Sequence, residues 1–291
     1  MSSTRDETQM PQWVVEPSLL VYRSTGIGIF GICMRWAGMP LEKIALFMNS
    51  SQVSGKNQFR QAIRLTFQEG VLAPYKVVGP ASITAWFFQY SVMGFAFQFF
   101  DHGLSKMLGV KPVYYGEELL TPPTKDGQSL DYRVCLKGLL VPVMAASLET
   151  NVSNRAEVQR YYGPQKFAAI ERSLKASPLK RVAGPAFTPC MMRNLIMCQT
   201  TFLLTPITYK LYFPQEQKNK TTMFWYGLGM NVFVGNVAAI TQQALWGRSL
   251  DYLAKHGQIQ YGSLIKESIQ KEGISAFFTV PKWFSRVLMV S

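Results

Sequence analysis

Four charged residues that lie in or at the ends of strongly apolar stretches are the first candidates for chemistry: Glu42, Glu149, Arg193 and Arg248. A full charge in apolar surroundings is costly unless it has a partner, a ligand or water. Arg193 lies inside the apolar stretch 186–213. A guanidinium there can contact an anionic solute, pair with an acid such as Glu42, or reach a lipid headgroup. Trp86, beside Phe87 and Phe88, could line a cavity or fill one by packing. Bond-making chemistry has no such constellation. His102 and His256 stand near the ends of apolar stretches without metal-ligand or triad spacing, and no Ser-His-Asp set, CxxC pair or phosphate-binding loop appears. Cys33, Cys135, Cys190 and Cys198 have no paired spacing and read as buried free thiols. The expectation is a protein that is not an enzyme and holds no metal.

The elements that must carry these charges are long and apolar. Charged residues make only 16% of the 291-residue chain and aromatic ones 13%, which argues against a soluble protein. Apolar stretches run at 18–39, 80–100, 134–148, 186–213 and 223–246. A helix needs about 20 residues to cross the hydrocarbon core, so each reads as a span, the one at 134–148 only if its flanks are included. The net charge of +13 is concentrated in the alternate segments 48–78, 155–183 and 251–282, which the positive-inside rule places on the side of synthesis. Cations spread between spans do not form the continuous patch of a nucleic-acid binder, so no nucleic-acid partner is expected. Residues 1–17 carry Asp6, Glu7 and Glu16 but one Arg, unlike a signal or transit peptide.

A pattern recurs three times, about a hundred residues apart. An apolar stretch ends in a kink-and-charge cluster, and a short amphipathic helix then ends in an acidic-Gly turn with an aromatic-basic pair. The first copy has Pro40-Leu41-Glu42, Glu69-Gly70, Tyr75-Lys76 and Gly79-Pro80. The second has Ser147-Leu148-Glu149, Leu179-Lys180-Arg181 and Gly184-Pro185, and the third has Gln243 to Arg248, Glu272-Gly273 and Phe277-Phe278. Pro40 should kink its helix. Phe59, Ile63 and Phe67 form one apolar stripe on a helix over 57–68, and Ile265 and Ile269 mark one face of a helix over 261–271. Pro112, Pro122 and Pro123 mark an exposed connector. The organisation read from this is a tail over 1–17 and repeats over 18–108, 109–213 and 214–291.

These motifs resemble the mitochondrial carrier family, whose signature is Pro-x-acidic-x-x-basic-x-basic followed by acidic-Gly-x-x-x-x-aromatic-basic-Gly in three tandem repeats. The resemblance covers nearly the whole chain. It implies an all-α membrane protein of the mitochondrial inner membrane: a threefold pseudosymmetric bundle with amphipathic helices on the matrix side, exchanging metabolites or nucleotides by alternating access. It makes Pro40, Glu69, Gly70, Tyr75, Lys76, Gly184, Glu272 and Gly273 structural motif residues. It also implies a matrix gate of ion pairs. Glu149 and Arg248 retain both partners of one pair, Ala45 and Leu245 replace both partners of another, and Glu42 faces Val152 and loses its partner. Of the kink prolines only Pro40 remains, with Ser147 and Gln243 in the other two places. Phe100-Asp101 begins the cytoplasmic motif, but Leu104 holds its basic place.

After the third acidic-Gly turn only Pro281 to Ser291 remain. Eleven helical residues rise about 16 Å, roughly half the core. The expectation is five full spans and a short sixth helix that lacks the family's substrate contact there. Lipid or partner protein would cover the gap. The function expected is that of a degenerate carrier retained as an accessory subunit of a larger inner-membrane assembly such as a respiratory chain complex. The alternative is a working carrier for an anionic metabolite or nucleotide. No cofactor is expected beyond bound phospholipid such as cardiolipin.

Overall fold

The computed structural model describes residues 17–50, 53, 57–76, 80–110, 132–162, 164–173, 183–213 and 219–290. The tail, Gly79, the connector prolines Pro112, Pro122 and Pro123, and the second copy's Leu174-Lys175 and Leu179-Lys180-Arg181 lie outside the described residues. The described residues are helical, with no strand among them.

The first long helix is broken where the sequence reading puts a kink. Helix α1 (Pro17–Ala37) stops at Gly38, and α2 (Met39–Asn49) restarts with Pro40 in its first turn. Proline suits a helix start, where its missing N–H is no loss. The two later sites lack proline and are not broken. Helix α5 (Tyr132–Tyr162) runs through Ser147, whose hydroxyl donates to the Val143 carbonyl one turn back (2.7 Å). Helix α10 (Asn236–His256) runs through Gln243. The remaining elements are α3 (Gln58–Thr66), α4 (Pro80–Leu108), α6 (Pro164–Ser173), α7 (Phe187–Gln199), α8 (Thr205–Tyr212), α9 (Lys220–Met230), α11 (Tyr261–Glu272) and α12 (Val280–Val290). Asn219 caps α9 by accepting from Thr221 and Thr222 N–H, and Gly257 ends α10 in the left-handed conformation (φ 73°).

The long helices pack in chain order: α1 on α4, α4 on α5, α5 on α7 and α7 on α10, while α12 packs on both α2 and α10. Close approach of α1 to α4 depends on small residues. A Cβ on Gly28 would sit 2.1 Å from Ser91 Oγ, and one on Gly31 would sit 2.3 Å from the Tyr90 ring. Gly28→Val should therefore lower the melting temperature in detergent, at the roughly 1–3 kcal/mol typical of overpacking. Gly229→Ala, with nothing within 4 Å of its new methyl, should not.

Two π-helical turns, Thr200–Leu204 between α7 and α8 and Asn231–Gly235 between α9 and α10, face each other. Thr201 Oγ1 donates to Asn231 Oδ1 across them (2.8 Å). In each widened turn the first carbonyl accepts both the backbone N–H and the side chain of the residue five positions on: Thr205 Oγ1 to Thr200 O (2.7 Å) and Asn236 Nδ2 to Asn231 O (3.0 Å).

Among the described residues one helical run, Thr221–His256, is long and apolar enough to cross a membrane. The other four expected stretches are helical but interrupted by polar and charged residues such as Arg35, Gln89, Lys137 and Arg193.

The apolar stripes on the amphipathic helices do not coincide with their buried faces. On α3 the buried positions are Gln58, Ala62 and Thr66; Phe59 packs on Ile44, Met48 and Ala62, while Ile63 is exposed. On α11 Leu264 and Ser268 face inward, and Ile265 and Ile269 face out. Periodicity identifies one face of a helix but not which side the protein covers.

Candidate functional site

The central feature is a buried polar network that joins six helices. It begins with Arg35 on α1, a residue the sequence reading passed over. Its guanidinium donates to Glu42 of α2 (2.9 and 3.2 Å) and to Gln89 of α4 (2.6 Å), and lies 3.4 Å from Glu157 of α5. The Trp86 ring lies beneath it, 5.4 Å from centroid to charge. Trp86 is thus buried as a platform for Arg35, whereas its neighbour Phe88 is exposed.

Gln89 passes the network on. Its amide nitrogen donates to Glu149 Oε1 (2.9 Å). Asn194 of α7 donates to the other Glu149 oxygen and to Thr150 Oγ1. Arg193 donates to Glu157 Oε2 (3.2 Å), to Gln243 Oε1 on α10 (2.7 Å) and to Asn194 Oδ1. Each carboxylate in this network is met by charged or amide donors, which is what a buried anion requires.

Arg286 on α12 completes the set. It is 6% exposed, no described acid forms an ion pair with it, and its Nε has no acceptor. Its nearest charges include Arg193, Glu157, Arg35 and Glu42. The sequence reading assigned no inward cation to 281–291. The signal available was the one that singled out Arg193, an isolated cation in an apolar helix; it also marked Arg35 and Lys137.

Two expected pairings are corrected. Glu42 is not stripped of a partner, because Arg35 lies one break in the helix away and takes it. Glu149 and Arg248 do not pair. Arg248 reaches from the middle of α10 to the turn Gly273–Ala276, where Nη2 meets Glu272 Oε2 (2.6 Å) and Nε donates to Ala276 O (3.0 Å). Lys282 Nζ donates to Ala276 O (2.7 Å) and Ser275 O (3.1 Å). A turn that ends a helix presents unpaired carbonyls; Arg248 and Lys282 donate to them, and the Glu272 carboxylate accepts from Arg248. Arg193 likewise pairs with Glu157 and not with Glu42.

A double-mutant cycle should reproduce this partition. Arg248→Gln and Glu272→Gln should couple in thermal stability by about 1.5–3 kcal/mol, the range for a hydrogen bond to a charged group. Arg248→Gln and Glu149→Gln should couple by less than about 0.5 kcal/mol.

The other motif residues serve the ends of helices. Gly70 (φ 103°) and Gly273 (φ 65°) turn the chain where side chains rarely go. Gly184 (φ 73°) does so in the second copy, where Asn154 Nδ2 donates to Ala183 O (2.8 Å) and Pro185 O (3.0 Å) while Asn154 Oδ1 accepts from Trp246 Nε1 (3.0 Å). Glu69 and Lys76 approach to 3.7 Å in full exposure, worth about 0–1 kcal/mol. Tyr75 packs on Trp36, ring centroids 5.3 Å apart. At the end of α5, Tyr161 donates to Asp251 (2.6 Å) and Tyr162 to Leu250 O; burial and the Asp251 carboxylate push both phenols up, so both stay protonated donors.

The network holds its charges by internal pairing. Cys190, the thiol nearest to it, is buried and accepts from Arg193 (3.4 Å). No group of three or more His, Cys, Asp or Glu side chains placed to hold a metal occurs among the described residues. No protein-family model matches the chain, and no curated protein matches it.

Proposed function

We propose that the chain is a carrier-like, inner-membrane bundle that no longer transports and serves as an accessory subunit of a larger membrane assembly. The carrying observation is the commitment of Arg248 to Glu272 and Ala276 O. A transport gate needs charges that exchange partners as the bundle opens and closes. Here the gate cation is tied to its own repeat, Glu42 is tied to Arg35, and Glu149 is held by two amides. Breaking such buried contacts on each cycle would strand charges. The resemblance of the three repeats supports the fold and the mitochondrial location within this reading. The exposed aromatic residues Phe224, Trp225 and Phe233 on the Thr221–His256 run suit contact with lipid or partner helices.

One observation favours a second reading, a carrier for an anionic solute. Arg286 is buried with no ion pair to a described acid and with its Nε lacking an acceptor, and an anion would complete it.

Reconstitution separates the two. Purified protein in liposomes should show no saturable uptake of nucleotides or carboxylates, and in native gels of its membrane it should migrate in an assembly well above its own 32.9 kDa. Specific uptake abolished by Arg286→Gln would establish the second reading in place of the first.

A further inference from the structure

The acidic-Gly turns carry apolar side chains that the fold leaves outside. Val71 directly follows Gly70 and is 78% exposed, with Leu72 at 70%. Ile274 holds the same place after Gly273 and is also 78% exposed. Two repeats that otherwise differ in sequence thus present an aliphatic residue at one structural position, each held out by a glycine with positive φ. On α11, Ile269 extends the same outward surface, since the inward face belongs to Leu264 and Ser268.

We propose that these two turns seat Val71, Leu72 and Ile274 in the interfacial layer of an anionic lipid leaflet. The inference rests on the reading that the long helices span a membrane. Charge commits the site to lipid. Arg60 and Arg64 on α3, which leads into the first turn, are exposed, as is Lys76 after it; Lys266 and Lys271 are exposed on α11, which leads into the second. The nearby acids are already engaged, Glu69 by Lys76 (3.7 Å) and Glu267 by Lys271 (2.6 Å). The Lys271 ammonium holds Glu267 below the usual carboxylate range, so it stays ionised and paired. Aliphatic tips ringed by Lys and Arg are the composition of a surface that lies in the headgroup–acyl boundary, where apolar side chains enter the acyl layer and cations meet phosphates. The seat would fix the depth at which each short helix lies and brace the end of the bundle that holds Arg248 and Lys282.

The test uses the full-length protein in nanodiscs containing anionic phospholipid. Cys33 is exposed and Cys135 half-buried, so both are replaced by Ser, while the buried Cys190 and Cys198 stay. An environment-sensitive fluorophore is attached in separate variants at Val71→Cys, Ile274→Cys, Gln270→Cys and Phe233→Cys. At 71 and 274 emission should shift to the blue and lose roughly half its intensity to lipids spin-labelled near the headgroup, as a depth of about 5–10 Å requires. At Gln270 it should report water, and at Phe233 it should be quenched by lipids labelled deep in the chain. Water-like emission at 71 and 274 with deep quenching at 233 overturns the proposal and leaves the spanning reading intact. Water-like emission at all four sites overturns both. Blue-shifted emission at 71 and 274 without lipid quenching assigns the turns to a protein surface and also overturns the proposal.

Discussion

Lys137→Met should be among the most destabilising single substitutions in this chain. Lys137 on α5 meets Asp101 on α4 at 2.8 Å and donates to Ser105 Oγ (3.0 Å), and both charged side chains are almost wholly buried. The pair fastens the two helices close to where Ala96, Phe97, Val141 and Ala145 form an apolar cluster. Removing the cation takes from the buried Asp101 its 2.8 Å partner, and breaking a buried pair on one side costs about 3–5 kcal/mol. For a chain of this size that corresponds to a fall of roughly 10 °C in melting temperature. The companion result identifies the mechanism. Asp101→Leu combined with Lys137→Met removes both charges and should recover most of the loss, because a packed apolar pair can equal a buried ion pair. Thermal unfolding of the two variants and the wild type in one detergent decides it. A double variant as unstable as Lys137→Met alone would assign the loss to packing and not to charge.

Much of the fold was legible because its signals are local. Pro40 announces a helix break, which occurs at Gly38, whereas the helices run on through Ser147 and Gln243, where proline is missing. Gly70, Gly184 and Gly273 mark turns that need positive φ. Partner choice was not legible, because it depends on which helices meet. Glu42 looked orphaned while its partner, Arg35, lay seven residues away across the break. Arg248 looked bound for Glu149, since nothing in the spacing reveals that the Gly273–Ala276 turn brings Glu272 and a bare carbonyl nearer. Glu157, Gln89 and Asn194 carry no motif, and they enter the network only because α4, α5 and α7 are neighbours. The π turns left no trace in the apolar periodicity, because each adds one residue to a helix whose surroundings still read as continuous.

Arg35→Met tests the network at its most connected residue. The guanidinium serves Glu42, Gln89 and Glu157 at once and lies over Trp86. Methionine keeps the length and the packing on Trp86 but removes every donor. Glu42 then keeps its charge without the guanidinium, and Gln89 Oε1 loses its closest donor. The expected cost is again about 3–5 kcal/mol, read as a lower melting temperature. Lysine should rescue poorly: one ammonium cannot hold two carboxylates and an amide in the planar geometry that the guanidinium fork supplies. Glu42→Gln added to Arg35→Met should restore part of the loss by removing the stranded charge. Position 157 should respond differently, since Arg193 still meets Glu157 at 3.2 Å. Adding Glu157→Gln to Arg35→Met should give no rescue, because it takes from the buried Arg193 its ion-pair partner. Rescue by Glu157→Gln and not by Glu42→Gln would mean that Arg35 is chiefly the partner of Glu157. The break at Gly38 would then tie α1 to α5 and not to α2.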